Sequence, residues 1–172
     1  MYLLDTPVIS ELRKARTGGC DAGVMRWASG IARQNLYMSA ISLLELENGV
    51  AKVERRDKTL AAPLRLWLDE QVMTAFDGRI LPVDVAIVKK RAGLAQTESK
   101  PEAKNERDAL LAATAQVHGL VLVTRNTSAF KASRIKLFNP WGYTPEEDGV
   151  EDADWQQVAR SGSQWLKSLF LR

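Results

Sequence analysis

The chain predicts an α/β sandwich of three layers, a mostly parallel, short-stranded sheet flanked by helices, with a helical extension at its C-terminus. Three observations point there. The apolar runs are short and do not alternate with polar residues, as strands buried on both faces require. Helical periodicities separate the runs, which is the pattern of strand–helix–strand crossovers. The 172 residues give room for one compact domain and not for two full ones.

Tyr2-Leu3-Leu4 is a short buried strand that ends on Asp5. Thr6 is a helix N-cap and Pro7 suits a first helical position, where a missing N–H costs nothing, so a helix is expected over Pro7–Arg16 up to Gly18-Gly19. A second helix covers Ala22–Arg33, and Leu36–Met38 makes the next strand. Ser39 caps a helix over Ala40–Glu54. Leu60, Leu64, Trp67, Leu68 and Val72 at helical spacing predict one helix from Lys58 to Thr74. Asp77-Gly78 turns into a strand at Arg79–Leu81, followed by helices over Val83–Thr97 and Ala103–Val117 with a break at Ser99-Lys100-Pro101. After Gly119, Leu120–Val123 is the clearest strand, and Ile135–Phe138 is the last. Residues 1–142 form the domain. Residues 143–172 read as an acidic linker and an amphipathic helix carrying Trp155, Val158, Trp165, Leu169 and Phe170, with Gly162 as its weak point.

Composition narrows the chemistry. With 45% apolar and 26% charged residues, general disorder is excluded. No apolar run approaches the ~18 residues of a membrane span, and no secretory signal is expected at the N-terminus. A single cysteine, Cys20, forbids an internal disulfide and fits a reducing, cytoplasmic setting. One cysteine and one histidine, His118, are too few for a zinc site, and no nucleophile elbow is present. Carboxylates, hydroxyls and basic groups remain. Of 24 basic and 21 acidic residues, three basic and six acidic ones fall in 143–172, so residues 1–142 carry a net +6 against +3 for the whole chain. A basic body of this kind suits a polyanionic partner.

Ligands of open parallel sheets bind beyond the carboxyl ends of the strands. Asp5 stands at one such end and Asn126 three residues past another. Glu45 shares a helical face with Ile41, Leu44 and Asn48, and Asp108 shares one with Leu111, Ala112 and Ala115. Acids on apolar stripes are expected to be partly desolvated and to find a cation, either a metal ion or a salt bridge to Arg107 or Arg125. Glu47 points to another side of its helix and is expected to be solvated. Three acids from separate elements, without histidine or cysteine, suit an oxygen-loving ion such as Mg²⁺ or Mn²⁺. Such an ion generates hydroxide from water and clamps phosphate oxygens, which favours phosphodiester hydrolysis.

Five segments then carry a family likeness. Leu3-Leu4-Asp5-Thr6-Pro7-Val8-Ile9-Ser10-Glu11-Leu12 resembles the first strand and helix of PIN-domain toxins of the VapC and FitB type. Ser39 to Leu46 with Gly49-Val50 resembles their second acidic motif, and Asp77 to Pro82 one of their strands. Asp108 to Ala115 with His118-Gly119-Leu120 is similar to the third acidic motif. Val123-Thr124-Arg125-Asn126-Thr127 and Phe138-Asn139-Pro140-Trp141 complete the likeness over residues 1–141. The resemblance implies a Mg²⁺-dependent endoribonuclease, usually the toxin of a toxin–antitoxin pair, with metal ligands Asp5, Glu45 and Asp108. It also implies a small antitoxin partner, promoter DNA bound by the complex, and a homodimer. The family's fourth acid falls at Asn126, so the site loses one negative charge, and Pro7 stands where an Asn is usual. Thr6, Thr124 and Arg125 are the candidate phosphate or RNA contacts.

Asn126 motivates a second expectation, a catalytically silent PIN-like module that binds RNA or protein. A phosphoacceptor domain of receiver type ranks last, since it lacks paired acids after the first strand and a matching lysine. Arg55-Arg56 and Lys89-Lys90-Arg91 read as solvated faces more readily than as RNA contacts. Trp27 and Trp67, on apolar stripes, are expected in the core, and His118 as a charge at a helix C-terminus.

Overall fold

The computed structural model describes residues 1–95 and 106–144. A five-stranded sheet, all of whose pairings are parallel, runs in the order β3-β2-β1-β4-β5. Its strands are β1 (Tyr2–Leu4), β2 (Leu36–Ser39), β3 (Ile80–Leu81), β4 (Val121–Val123) and β5 (Leu137–Phe138). The helices are α1 (Thr6–Arg13), α2 (Ala22–Ser29), α3 (Ala40–Glu54), α4 (Lys58–Leu66), α5 (Met73–Ala75), α6 (Val85–Ala95) and α7 (Glu106–Val117). The expected α/β architecture is present. The acidic linker beyond Thr144 and the terminal amphipathic helix lie outside the described residues.

Alternate residues of β1 feed the two sides of the sheet, as the strand period dictates. Leu4 joins a cluster with Val8, Val24, Trp27, Met38 and Leu68, while Leu3 packs with Leu111, Ala112, Leu122 and Phe130. Trp27 and Trp67 are buried, as their spacing predicts. His118 is exposed beside Gly119, whose φ of 64° turns the chain from α7 into β4.

Several boundaries differ from expectation. The N-cap of α1 is Asp5, not Thr6: Asp5 Oδ1 accepts the Thr6 N–H at 2.8 Å, and its carbonyl accepts the N–H of Val8 and Ile9. The helix ends at Arg13 and tightens into a 3₁₀ turn over Lys14–Thr17 before Gly18, at φ 72°. α2 stops at Ser29, whose hydroxyl donates back to the Met25 carbonyl at 2.7 Å. The single helix expected from Lys58 to Thr74 is α4, a π-helical stretch over Trp67–Val72, and α5. Pro63 lies inside α4 and supplies no N–H there, and the run widens one turn later, over Trp67–Val72. α6 begins at Val85, because Asp84 Oδ1 accepts the Ile87 N–H at 3.0 Å. Ser39 caps α3 as expected, its Oγ accepting from Ile41 N at 3.1 Å.

Candidate active site

The register brings the first pair together. Leu4 lies opposite Val123, and Asp5 N donates to the Val123 carbonyl at 3.0 Å, so Asp5 and Thr124 follow their strands side by side. The buried Thr124 Oγ1 donates to Asp5 Oδ2 at 2.6 Å while Asp5 Oδ1 caps α1. Both carboxylate oxygens are thereby fixed without a cation. Capping and site placement do not compete at Asp5: one oxygen holds the helix and the other faces the sheet's carboxyl edge.

Glu45 arrives on the second turn of α3, which Ser39 caps at the end of β2. Thr6 Oγ1 donates to Glu45 Oε2 at 2.5 Å, a charge-assisted length, and so ties α1 to α3 directly above Asp5. Arg107 Nη1 stands 3.6 Å from Glu45 Oε1. Asp108 follows Arg107 in the first turn of α7. The salt bridge anticipated as the alternative to a metal therefore exists for Glu45, through Arg107. Arg125 instead lies over the Trp141 ring at 5.5 Å.

The apolar stripe expected to desolvate Glu45 does not bury it. Its stripe with Leu44 and Asn48 faces outward, Leu44 being 47% exposed, and the buried face of α3 is Ser42, Leu46 and Val50. Glu47 is not simply solvated: Arg65 holds it at 2.7 Å and Glu54 at 3.0 Å. The Asp108 stripe behaves as predicted, with Leu111, Ala112 and Ala115 buried.

Electrostatics links the three acids. Burial pushes the Asp5 carboxyl up to about 6, against the lowering effect of the Thr124 and Thr6 hydrogen bonds, and the charges of Glu45 and Asp108 push it the same way. Asp108 is raised by burial and by Glu45. Geometrically the cluster is open: among the described residues, no three acidic, histidine or cysteine side chains are already drawn into a metal-binding group. Like charges repel, and Glu45 is turned onto Thr6 and Arg107. Carboxylates carried on three elements nonetheless form the oxygen donor set that suits a hard divalent cation.

The raised Asp5 gives a pH prediction. The native state binds this proton more tightly than the unfolded chain, whose carboxyl titrates near 3.8. Stability of the metal-free protein is then expected to fall as pH rises from about 4 to about 6, by up to about 3 kcal/mol, and to stay lower above that window. Chemical denaturation across pH checks it, and Asp5→Asn is expected to flatten that slope.

Asn126 is exposed at the start of a 3₁₀ turn over Thr127–Ser133. Its Oδ1 accepts from Ser128 Oγ at 2.9 Å, and its backbone N–H donates to Thr124 Oγ1 at 3.0 Å. It reaches the acids through Thr124. Sequence reasoning counted Thr124 only as a helper, although it sits in register with Asp5 and is as buried as the core. Two clefts lie elsewhere: one of about 650 Å³ lined by Arg33, Thr74, Asp77 and Arg79 before β2 and β3, and one of about 540 Å³ between α3 and α4.

Fold and cluster together define an α/β protein that gathers carboxylates beyond the C-terminal ends of a parallel sheet. The chain belongs to the PIN-domain family, whose model matches residues 2–135. It is 37% identical over 142 residues to VapC ribonuclease Y4jK of Sinorhizobium fredii, covering 82% of this chain and 98% of that one. It is 36% identical over 144 residues to toxin FitB of Neisseria gonorrhoeae, covering 82% and 99%. The crystal structure of FitAcB from Neisseria gonorrhoeae superposes with a TM-score of 0.72 at 34% identity, over 83% of this chain and all of that one. The structure of FitAB bound to an IR36 DNA fragment gives 0.70 at 32% identity, over 89% and 99%. No helix among the described residues is long and apolar enough to cross a membrane.

Proposed function

We propose that this protein is a Mg²⁺-dependent endoribonuclease and the toxin of a type II toxin–antitoxin pair. The observation that carries the reading is the placement of the acids: Asp5 directly after the central strand β1, fixed by Thr124, with Glu45 on α3 tied to Thr6 beside it and Asp108 in the first turn of α7. Asp5, Glu45 and Asp108 would hold the ion, with Mn²⁺ as a substitute. When bound, the ion supplies Lewis acidity and an activated water for in-line attack on an RNA phosphodiester. Thr124 orients Asp5 and favours its ionised form against the effect of burial, and Thr6 orients Glu45. Arg125, exposed and braced on Trp141, is placed to meet an RNA phosphate. The relatives' names support the ribonuclease and toxin parts, and the FitAB–DNA neighbour supports an antitoxin partner and a promoter-binding complex. A homodimer, a cytoplasmic setting, and division into a domain over 1–142 and an extension over 143–172 belong to the same reading.

The test is cleavage of a defined RNA by purified protein in Mg²⁺, Mn²⁺ or excess chelator. Products bearing 5′-phosphates in either metal, and none in chelator, are expected. Metal-independent cleavage, or none in any metal, overturns the reading. A folded protein that binds RNA and cleaves none in either metal would instead fit the silent module that the amide at Asn126 motivates.

Thr124→Val tests the orienting hydroxyl. The swap removes the 2.6 Å donor to Asp5 and the acceptor of Asn126 N–H with little change of shape. Loss of a donor to the charged form raises the Asp5 carboxyl further. Cleavage at pH 7 is expected to fall about 10- to 100-fold. The acid limb of the pH–rate profile is expected to move to higher pH, a shift that a merely structural role would not produce.

A further inference from the structure

Arg107 is the cation that the metal reading leaves without a role. It immediately precedes Asp108 on α7, its side chain is 47% exposed, and its guanidinium stands 3.6 Å from Glu45 Oε1. The other Glu45 oxygen accepts from Thr6, so Arg107 faces, at ion-pair distance and without a hydrogen bond, the oxygen that Thr6 leaves open on the acid that would have to turn toward an ion. A guanidinium and a divalent ion cannot both sit close to one carboxylate oxygen without strong mutual repulsion. At half exposure the ion pair is weak enough to break. A released guanidinium would need another anion, and RNA phosphate is one that Arg binds in fork geometry.

We infer that Arg107 is a positioning residue that competes with the divalent ion for Glu45, and that RNA relieves the competition by drawing Arg107 onto its backbone phosphate. This rests on the reading of Asp5, Glu45 and Asp108 as metal ligands. Its consequence is reciprocal coupling: RNA tightens metal binding, and metal tightens RNA binding by the same factor. In the absence of RNA the pairing of Arg107 with Glu45 keeps the metal site partly closed.

Manganese titration followed by electron paramagnetic resonance on the full chain reads this without turnover. Each protein is titrated with Mn²⁺ alone and with a phosphorothioate oligoribonucleotide that resists cleavage. Arg107→Gln is expected to bind Mn²⁺ alone about three- to fivefold more tightly than the parent, the scale of one half-exposed ion pair. The oligonucleotide is expected to tighten Mn²⁺ binding to the parent by a similar factor and to leave Arg107→Gln unchanged. Arg107→Lys, which keeps the charge without the fork, is expected to fall between, and thermal melts verify that both variants fold. Equal or weaker Mn²⁺ binding by Arg107→Gln, or full oligonucleotide coupling in that variant, overturns the competition while leaving the metal site standing. If neither the parent nor the variants bind Mn²⁺, the metal reading falls and the competition with it.

Discussion

Asp5→Asn is expected to lower RNA cleavage on the order of 10³-fold or more while the protein folds as well as the parent, or better, at pH 7. The two effects share a cause. Asp5 is 7% exposed and its charge is opposed by burial, by Glu45 and by Asp108, so carrying that charge at neutral pH costs stability. An amide has nothing to ionise. It can still accept the Thr6 N–H that caps α1, and Thr124 can turn its hydroxyl to face the amide nitrogen. The helix start survives while the negative charge needed by a cation is gone. The measurement pairs cleavage rate at saturating Mg²⁺ with a denaturation curve at pH 7 and pH 4.5. Near pH 4.5 the parent's Asp5 is largely protonated, so the stability difference between the two proteins is expected to shrink. Retained cleavage by folded Asp5→Asn removes Asp5 from the site. A large loss of stability would mean that the carboxylate serves the fold and not the chemistry.

The three acids were legible in the sequence for different reasons, and not equally. Asp5 follows an apolar triplet, and a strand end in a parallel sheet is an expected ligand position; β1 lies in the centre of the sheet, where that rule places it. Asp108 was legible because the residues sharing its face are buried. Glu45 was singled out on a stripe that turns out to face outward, and its proximity to the others comes from β2 pairing with β1 and from the Thr6 contact. Periodicity within one helix cannot supply such contacts, since they depend on which strands become neighbours. The same limit hid the Arg65 cluster, where three acids from two separate segments share one guanidinium. It also hid Arg79, which donates to the carbonyls of Arg33, Leu36 and Ala75 and so ties α5 to the start of β2. The widening of the helix after Leu66 is a different case. The spacing of Leu60, Leu64, Trp67, Leu68 and Val72 is α-helical, yet only Trp67, Leu68 and Val72 are buried while Leu60 is exposed, so the apolar periodicity does not report where the helix widens.

Gly23→Ala is expected to destabilise the protein by about 2–3 kcal/mol, although alanine is the better helix former. Gly23 is the second residue of α2, under the N-cap of Asp21, whose Oδ1 accepts from Gly23 N at 2.9 Å. A methyl group built there would meet the Pro140 carbonyl oxygen at 2.6 Å, Tyr143 N at 2.6 Å and Gly142 N at 2.7 Å. All three are backbone atoms of one turn, so no side chain can swing aside. The turn is closed by Tyr143 N donating to Pro140 O at 3.2 Å and is held at Gly142 by a φ of 79°. Room could come only from moving α2 or the turn. Either motion disturbs the aromatic row Tyr2–Trp27–Phe138–Tyr143, with ring centroids 5.4, 5.5 and 5.9 Å apart, and shifts Trp141 beneath Arg125. Gly49, in the middle of α3, is the internal control, since a methyl there meets nothing within 4 Å. Gly49→Ala is expected to stabilise by about 0.5–1 kcal/mol through helix propensity alone. Urea denaturation of the two variants should therefore give opposite signs for the same chemical change. Stabilisation by Gly23→Ala would mean that α2 does not pack against the Pro140–Tyr143 turn. The acids stand on other elements, so cleavage per folded Gly23→Ala molecule is expected to stay within a few-fold of the parent, with any loss seen in RNA affinity through the displaced Arg125 platform.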